Sequence, residues 1–111
     1  MEKGSLIISN DVFTQIAGAV ATSCFGVKGM AVRSKTDGLV HLLRRESMSK
    51  GVKVTANEDG SVTIDLHIIV DSVNIAAISS SITKEVAYKV TELTGVSVAS
   101  VEIYIDSISF S

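Results

Sequence analysis

Two alternating runs joined by a polar turn occupy residues 51–70, which read GVKVTANEDGSVTIDLHIIV. The segment Asn57-Glu58-Asp59-Gly60 has the composition of a tight turn, and apolar residues alternate with polar ones on both sides of it. Strict alternation is typical of a strand with one buried face. The stretch therefore predicts a β-hairpin, and its second strand turns five apolar residues to a core: Val62, Ile64, Leu66, Ile68 and Val70.

A long amphipathic helix is predicted directly after the hairpin. From Ile75 to Leu93, apolar residues recur every three or four positions, which is the spacing of one helix face. Asn74 can cap the first turn, and Gly95 can end the helix in a left-handed conformation.

The last strand is predicted within residues 96–108. Apolar residues take one side (Val101, Ile103 and Ile105) and polar residues take the other (Glu102, Tyr104 and Asp106). The alternation fails between Val98 and Ser100, which predicts a β-bulge or a kink there.

Before the hairpin, the pattern predicts a short strand over residues 4–8 and a helix that runs from an N-cap at Ser9 to about Phe25. Gly26 is expected to end this helix. Its apolar stripe consists of Val12, Phe13, Ile16, Ala17, Val20, Ala21 and Cys24.

The pattern is weaker between the first helix and the hairpin. Residues 26–35 indicate a connection, and residues 37–48 indicate a short helix with Leu39, Leu42 and Leu43 on one side. The predicted order is β-α-(short α)-β-β-α-β. We therefore predict an α+β fold, a two-layer sandwich with the helices on one face of a mixed sheet. The length of 111 residues and the lack of a linker predict a single domain, residues 1–111.

Composition excludes several classes of protein. One cysteine rules out an internal disulfide framework, and a net charge of -2 gives no general attraction to nucleic acid or anionic membranes. The longest uncharged run, residues 12–27, is shorter than the ~20 apolar residues of a spanning helix. No signal peptide is recognisable. We expect a cytoplasmic protein that does not itself insert into the membrane.

Positive charge is concentrated in residues 28–53, which we call the basic segment. It holds seven Lys or Arg residues against two acidic ones, a net charge of +5, so the rest of the chain carries -7. Such an imbalance steers encounter with acidic partners. We predict that the basic segment docks an acidic protein partner through Arg33, Lys35, Arg44, Arg45 and Lys50.

The first helix carries no charge after Asp11. A helix that covers a sheet normally has charged residues on its outer face, so something is expected to bury this one. Two explanations remain open: residues 33–50 of the same chain, or a second copy. For the second explanation the outward positions form the oligomer surface: Thr14, Gly18, Ala19 and Thr22.

Two residue pairs could in principle support chemistry. Asp65 and His67 share one strand face, but a metal site would need further ligands from the last strand, and a solvated polar face is the more common arrangement. Cys24 and His41 could form a nucleophile and base, but Cys24 lies on the apolar stripe near a helix C-terminus, where the helix dipole disfavours a thiolate. We predict no catalytic residue, metal site or cofactor.

Gly26-Val-Lys-Gly29 is a GxxG motif placed between two predicted helices. KH domains clamp a nucleic-acid backbone with such a loop. Together with the basic segment, the motif gives an alternative function, a KH-like nucleic-acid-binding domain. Glycines are common at helix ends and aromatic stacking residues are missing, so we do not expect nucleic acid as a partner.

The motifs in their order resemble the alkaline shock protein family, which comprises small envelope-stress proteins of Gram-positive bacteria and their relatives. The resemblance spans residues 4–110 and rests on Gly4-Ser-Leu-Ile-Ile-Ser9, Gly26-Val-Lys-Gly-Met30, Gly51-Val-Lys-Val54 and residues 92–105. Residues 37–45 and 49–52 are similar to its short YloU-like branch. The resemblance implies a cytoplasmic, non-enzymatic protein that self-associates or acts as a scaffold, and that reaches the membrane only through a separate anchor protein.

Overall fold

The computed structural model describes residues 10–33, 40–42, 50–71 and 74–108. Within these ranges the elements are α1 (Asn10–Ser23), β1 (Val27–Arg33), β2 (Val40–Leu42), β3 (Val52–Ala56), β4 (Val62–Val70), α2 (Ile75–Thr94) and β5 (Val98–Ile108). Helices packed on a mixed sheet confirm the predicted α+β class. The predicted first strand, residues 4–8, and its neighbour Ser9 lie outside the described residues.

β4 is the centre of the sheet. β3 pairs antiparallel with its first half, β1 pairs antiparallel with its last residues, and β5 pairs in parallel along its whole length. Since β5 occupies one edge of β4, β1 and β3 share the other edge, end to end. Their ends pass closely, because a Cβ atom on Gly51 would lie 3.0 Å from the carbonyl oxygen of Ala31.

The helices form one layer over the sheet. α1 packs against α2, β1 and β3, and α2 also packs against β5. The core lies between the layers. Its buried residues include Phe13, Ala17, Ala21, Met30, Ile64, Leu66, Ile68, Val70, Ile78, Ile82, Val86 and Val90. The alternation in β4 and the helical stripe in α2 therefore meet, as the sequence predicts.

Both ends of α2 are confirmed. The Asn74 side chain accepts a hydrogen bond from the amide of Ala77 at 3.3 Å, and Gly95 takes the left-handed conformation with φ 77°. The predicted stripe is wrong at its last member, because the Leu93 side chain is 64% exposed. Val90 is the last stripe residue that the core covers.

α1 ends two residues earlier than predicted. The amide of Val27 donates to the carbonyl of Cys24 at 3.3 Å, which closes a turn over Cys24–Val27. Gly26 has φ 88° in this turn, a conformation that residues with a Cβ atom rarely adopt. The glycine therefore ends the helical run as predicted, and the chain reverses at once into β1.

The prediction of a short helix over residues 37–48 is wrong at its described residues, because Val40–Leu42 form β2. Val27–Arg33, for which the sequence indicated only a connection, form β1. β2 pairs antiparallel with the last residues of β1, with Leu42 opposite Ala31. Strand partners supply hydrogen bonds to the whole backbone of such a segment, and this overrides its local preference. The other residues of the predicted short helix lie outside the described ranges.

Candidate functional site

The face of the sheet turned away from the helices is polar where β3, β4 and β5 meet. Asp65 is the residue around which it is arranged, because Lys53 lies opposite it on β3 and Glu102 lies opposite it on β5. The alternation that buries Val62, Ile64, Leu66 and Ile68 of β4 turns the residues between them outward: Thr63, Asp65 and His67. We call the following residues the polar face: Lys53, Thr55, Thr63, Asp65, His67, Ser100, Glu102, Tyr104 and Asp106.

His67 is held in place by two neighbours on β5. Its ring stacks on Tyr104, with 4.8 Å between ring centroids and an interplanar angle of 14°. Its Nδ1 atom lies 3.2 and 3.3 Å from the two carboxylate oxygens of Asp106. The Asp106 side chain is only 11% exposed, whereas that of His67 is 42% exposed. Because Nδ1 is engaged, a further hydrogen bond or ligand contact of this ring must use Nε2.

The two irregularities of β5 shape this face. The register against β4 shifts between Val98 and Ser100, which confirms the predicted bulge, and shifts again between Ile105 and Ser107. The second shift leaves Asp106 without a directly opposite residue on β4. An extra residue in a strand re-aims its side chain, and here the Asp106 carboxylate meets His67.

The sequence correctly places Asp65 and His67 on one face and brings an acidic residue of the last strand beside them. The contact that forms is an ion pair or hydrogen bond between His67 and Asp106. Among the described residues, no three His, Cys, Asp or Glu side chains are grouped so that they could hold a metal ion. The sequence analysis did not predict the stack of His67 on Tyr104. His67 lies two residues after Asp65, and Tyr104 lies two residues after Glu102, its partner on β5. This equal spacing could have indicated the stack.

Cys24 is half-buried at the end of α1. Its thiol donates to the carbonyl of Val20 at 3.4 Å. Burial raises the pKa of this thiol; a hydrogen bond with Ser81 lowers the pKa, and the charge of Glu85 adds to the increase. A raised pKa leaves little thiolate at neutral pH. His41, the residue considered as its base, lies in β2.

Two of the four positions predicted as an oligomer surface are not on the surface. Thr14 is only 5% exposed and Gly18 is buried, whereas Ala19 is exposed and Thr22 is half-buried. Thr14 and Gly18 follow Phe13 and Ala17 by one residue, so they lie beside them on a buried face that is wider than the apolar stripe. The Thr14 hydroxyl is satisfied within the helix, since it donates to the carbonyl of Asp11 at 3.0 Å.

The exposed residues of α1 and its turn that follow Asp11 form what we call the uncharged surface: Val12, Gln15, Ala19, Ser23 and Phe25. Phe25 is 91% exposed and was missed as a surface residue. It borders a pocket of about 150 Å³ whose other walls come from the start of α2: Asn74, Ala77, Ile78 and Ser81. The adjacent Gly26 was the signal in the sequence for an exposed Phe25, because this glycine ends the helix before Phe25 can join the apolar stripe.

The five predicted docking residues are only partly described. Arg33 is the last residue of β1, and Lys50 is exposed just before β3. Lys35, Arg44 and Arg45 lie outside the described residues. The structure therefore leaves the docking surface as a prediction.

The GxxG motif is not a loop between two helices, so that premise of the KH-like alternative is wrong. Gly26 belongs to the turn after α1, and Gly29 lies within β1 opposite Ile69 of β4. The carbonyl of Gly26 also accepts a hydrogen bond from the amide of Asp71 at 2.9 Å. These contacts engage the backbone of the motif within the fold, whereas a KH loop would present that backbone to a nucleic acid.

The fold and the polar face together define the class of protein: a small two-layer α+β protein with a polar sheet surface on one side and a helical layer on the other. The chain belongs to the alkaline shock protein 23 family, described as having a cell envelope-related function, whose model matches residues 1–110. This confirms the resemblance to alkaline shock proteins.

The relatives come from Gram-positive bacteria. The uncharacterised protein YloU of Bacillus subtilis is 36% identical over 107 residues, covering 95% of this chain and 88% of the relative. The uncharacterised protein Spy1614 of Streptococcus pyogenes is 32% identical over 107 residues, with the same coverage. The uncharacterised protein YqhY of Bacillus subtilis is 31% identical over 108 residues, covering 96% and 78%. No solved structure matches.

None of the helices in the described part of the chain is long and apolar enough to cross a membrane.

Proposed function

We propose that this protein is a non-enzymatic, self-associating scaffold or regulatory protein of the cytoplasm, linked to envelope stress, that docks a protein partner. The cell envelope-related function of the family supports the envelope link. The observation that carries self-association is the uncharged surface of α1, with Phe25 exposed at its end. An anchor partner would bring the protein to the membrane.

The exposure of Phe25 favours contact with another chain. Fully burying a Phe side chain contributes about 1.5–3 kcal/mol, and this gain is unrealised while the ring is in water. The neighbouring residues Ala19 and Ser23 are small and exposed, so another backbone can approach closely. Since no charge would have to be desolvated on this surface, association there carries no large electrostatic cost.

The non-enzymatic part of the proposal rests on the two residues that could otherwise act as nucleophile or base. The thiol of Cys24 has a raised pKa because it is partly buried. The ring of His67 is stacked on Tyr104, and its Nδ1 is engaged by Asp106.

The basic segment is the proposed docking site for an acidic partner. Its net charge of +5 lies within an otherwise acidic chain, and exposed Lys50 belongs to it. Charges of this kind raise association rates and select partners. Binding through this segment should therefore weaken as salt is added.

Ala19→Glu tests the self-association. Ala19 is exposed, so the fold should survive, while a carboxylate in the uncharged surface should dissociate the oligomer. Light scattering coupled to size-exclusion chromatography measures the mass, and circular dichroism checks the fold. Ser80→Glu, an exposed position of α2, is the matched control and should remain associated. A wild-type protein that is monomeric at tens of micromolar concentration would overturn the proposal.

Gly18→Glu tests a buried position on the same helix, for comparison with exposed Ala19. Gly18 is buried, so a carboxylate there should unfold the protein rather than only dissociate it. A folded monomer from this variant would show that the position is accessible.

A further inference from the structure

An exposed aromatic ring and a pocket of matching size lie side by side at the end of α1. Phe25 is 91% exposed. It borders the pocket of about 150 Å³, whose other walls come from the start of α2 and include Ala77 and Ile78. A cavity of this volume accepts a benzene ring. The pocket therefore has the size of a phenylalanine ring, and Phe25 of the same chain forms one of its walls rather than filling it.

The turn after α1 fixes the backbone that carries this ring. The amide of Val27 donates to the carbonyl of Cys24 at 3.3 Å, and the amide of Asp71 donates to the carbonyl of Gly26 at 2.9 Å. Phe25 thus lies between two residues whose backbone is hydrogen-bonded. A side chain presented from a fixed backbone loses little conformational freedom on binding, which favours association.

The polar groups around the pocket have partners within the chain. The side-chain oxygen of Asn74 accepts a hydrogen bond from the amide of Ala77 at 3.3 Å, and Ser81 forms a hydrogen bond with the thiol of Cys24. None of the described residues that line the pocket is charged. An apolar group can therefore enter without leaving these polar groups unpaired.

We propose that Phe25 of one copy enters the pocket of a second copy, whose own Phe25 enters the pocket of the first. This inference rests on the proposed self-association and names its contact. Because ring and pocket adjoin, a single two-fold axis produces both contacts and pairs the two rings. A charge beside such an axis would face the same charge of the other copy, and α1 carries none after Asp11.

The area of this contact agrees with a second copy as the occupant. An aromatic side chain buries ~150–250 Å², so two rings that are each 91% exposed would bury roughly 270–460 Å². The pocket walls that receive them lose a comparable area. Together they supply roughly half or more of the ~1,200 Å² that a specific interface needs at the least. The remaining area is present on the uncharged surface of α1, next to the ring.

Two variants remove the two halves of the contact. Phe25→Ser removes the ring, and Ala77→Glu places a carboxylate in the pocket. Both positions are exposed, and a carboxylate in the first turn of a helix is favourable, so both variants should fold. Ala76→Glu is the matched control for the pocket, because Ala76 is exposed in the same turn and is not among the described lining residues. Leu93→Ser is the control for the ring, since it removes an apolar side chain that is 64% exposed at the other end of α2.

Sedimentation equilibrium of the full-length proteins measures the association constants, and circular dichroism checks the fold. Phe25→Ser and Ala77→Glu should each weaken self-association by about a hundredfold or more, because both copies of the contact are lost. An equimolar mixture of the two should form a heterodimer about tenfold tighter than either homodimer, since the ring of one variant still has the pocket of the other. Both controls should associate like the wild type. Added salt should not weaken this apolar contact.

The outcomes separate this inference from the proposed function. If the wild type associates and Phe25→Ser changes nothing, the inference is wrong while self-association stands. If both variants weaken association but their mixture forms no heterodimer, the ring and the pocket do not bind each other. Equal weakening by either control would indicate a general effect of charge or hydrophobicity and would likewise overturn the inference. A monomeric wild type would overturn both. If Ala77→Glu fails to fold, Ala77→Gln must give the same result.

Discussion

The imidazole of His67 contacts a carboxylate that lies 39 residues further along the chain. At the scale of single residues, this contact illustrates how parallel pairing of β4 and β5 turns distant sequence positions into neighbours. A lone histidine on a polar strand face is normally solvated. Here the stack with Tyr104 and the carboxylate of Asp106 fix the orientation of the ring.

Cys24 should react slowly in the folded protein. Because burial raises its pKa above the ordinary value of 9.0, the folded thiol deprotonates only at higher pH than the unfolded one. Labelling with iodoacetamide should be slower in buffer than in urea at neutral pH, and the folded rate should rise at higher pH. Cys24→Ala should keep the oligomer. Equal labelling rates in buffer and urea would contradict this prediction.

Asp59 should contribute pH-dependent stability to the hairpin turn. Its carboxylate accepts hydrogen bonds from the hydroxyl of Ser61 at 2.6 Å and from its amide at 2.9 Å, and these lower the pKa from the ordinary 3.8. Stabilisation from a lowered pKa is present above the unfolded value and is lost as pH falls through the folded value.

Asp59→Asn should therefore be less stable than wild type at neutral pH, and the two proteins should converge below the folded pKa. Urea unfolding at several pH values measures this difference. Glu58→Gln, in the same turn, serves as the control and should track the wild type. A constant difference at every pH would show that the hydrogen bonds do not depend on the charge.

At the scale of elements, α2 is defined by its two ends and one face. Gly95 stops it in the left-handed conformation, where its amide donates to the carbonyl of Thr91 at 2.8 Å. A Cβ atom there meets no neighbour within 4 Å, so a substitution acts through backbone conformation alone.

Gly95→Ala should lower the free energy of unfolding by about 1–2 kcal/mol, the cost of a Cβ atom in the left-handed region. Asparagine tolerates that region better, so Gly95→Asn should lose less. Thermal or urea unfolding followed by circular dichroism measures both. If alanine and asparagine have equal effects, the left-handed conformation is not what limits this position.

The elements that the sequence predicts correctly are those with an uninterrupted period. The hairpin and α2 each show a clean pattern and have turn or cap residues at their ends. β1 was missed because its register against β4 shifts between Val27 and Gly29, which breaks the alternation. β2 has only three residues, too few for a period to be visible. Pairing with β1 decides its conformation instead.

At the scale of the whole molecule, one core joins the helices to the sheet. Residues from α1, α2 and four of the strands belong to the same buried cluster and its margin. If the predicted single domain is right, such a molecule should unfold as one cooperative unit.

Ile82→Ala tests this cooperativity. Ile82 is fully buried in the core, so its truncation should cost about 2–5 kcal/mol. Tyrosine fluorescence and far-ultraviolet circular dichroism should nevertheless report the same transition midpoint, because Tyr88 lies on α2 and Tyr104 on β5. Thr91→Ala, an exposed site on the same helix, should change little. Two separate midpoints would indicate two independently unfolding parts.

The sequence by itself determined the class of fold, the central hairpin, the capped helix, the bulge near Ser100 and the family. These follow from periodicity, turn chemistry and motif order, which are local properties of the chain. Tertiary structure alone decided which residues of α1 are outward, and it buried Thr14 and Gly18 while leaving Phe25 exposed. It also set Tyr104 and Asp106 against His67. Such arrangements depend on packing and on strand register, and neither is encoded within a few neighbouring residues.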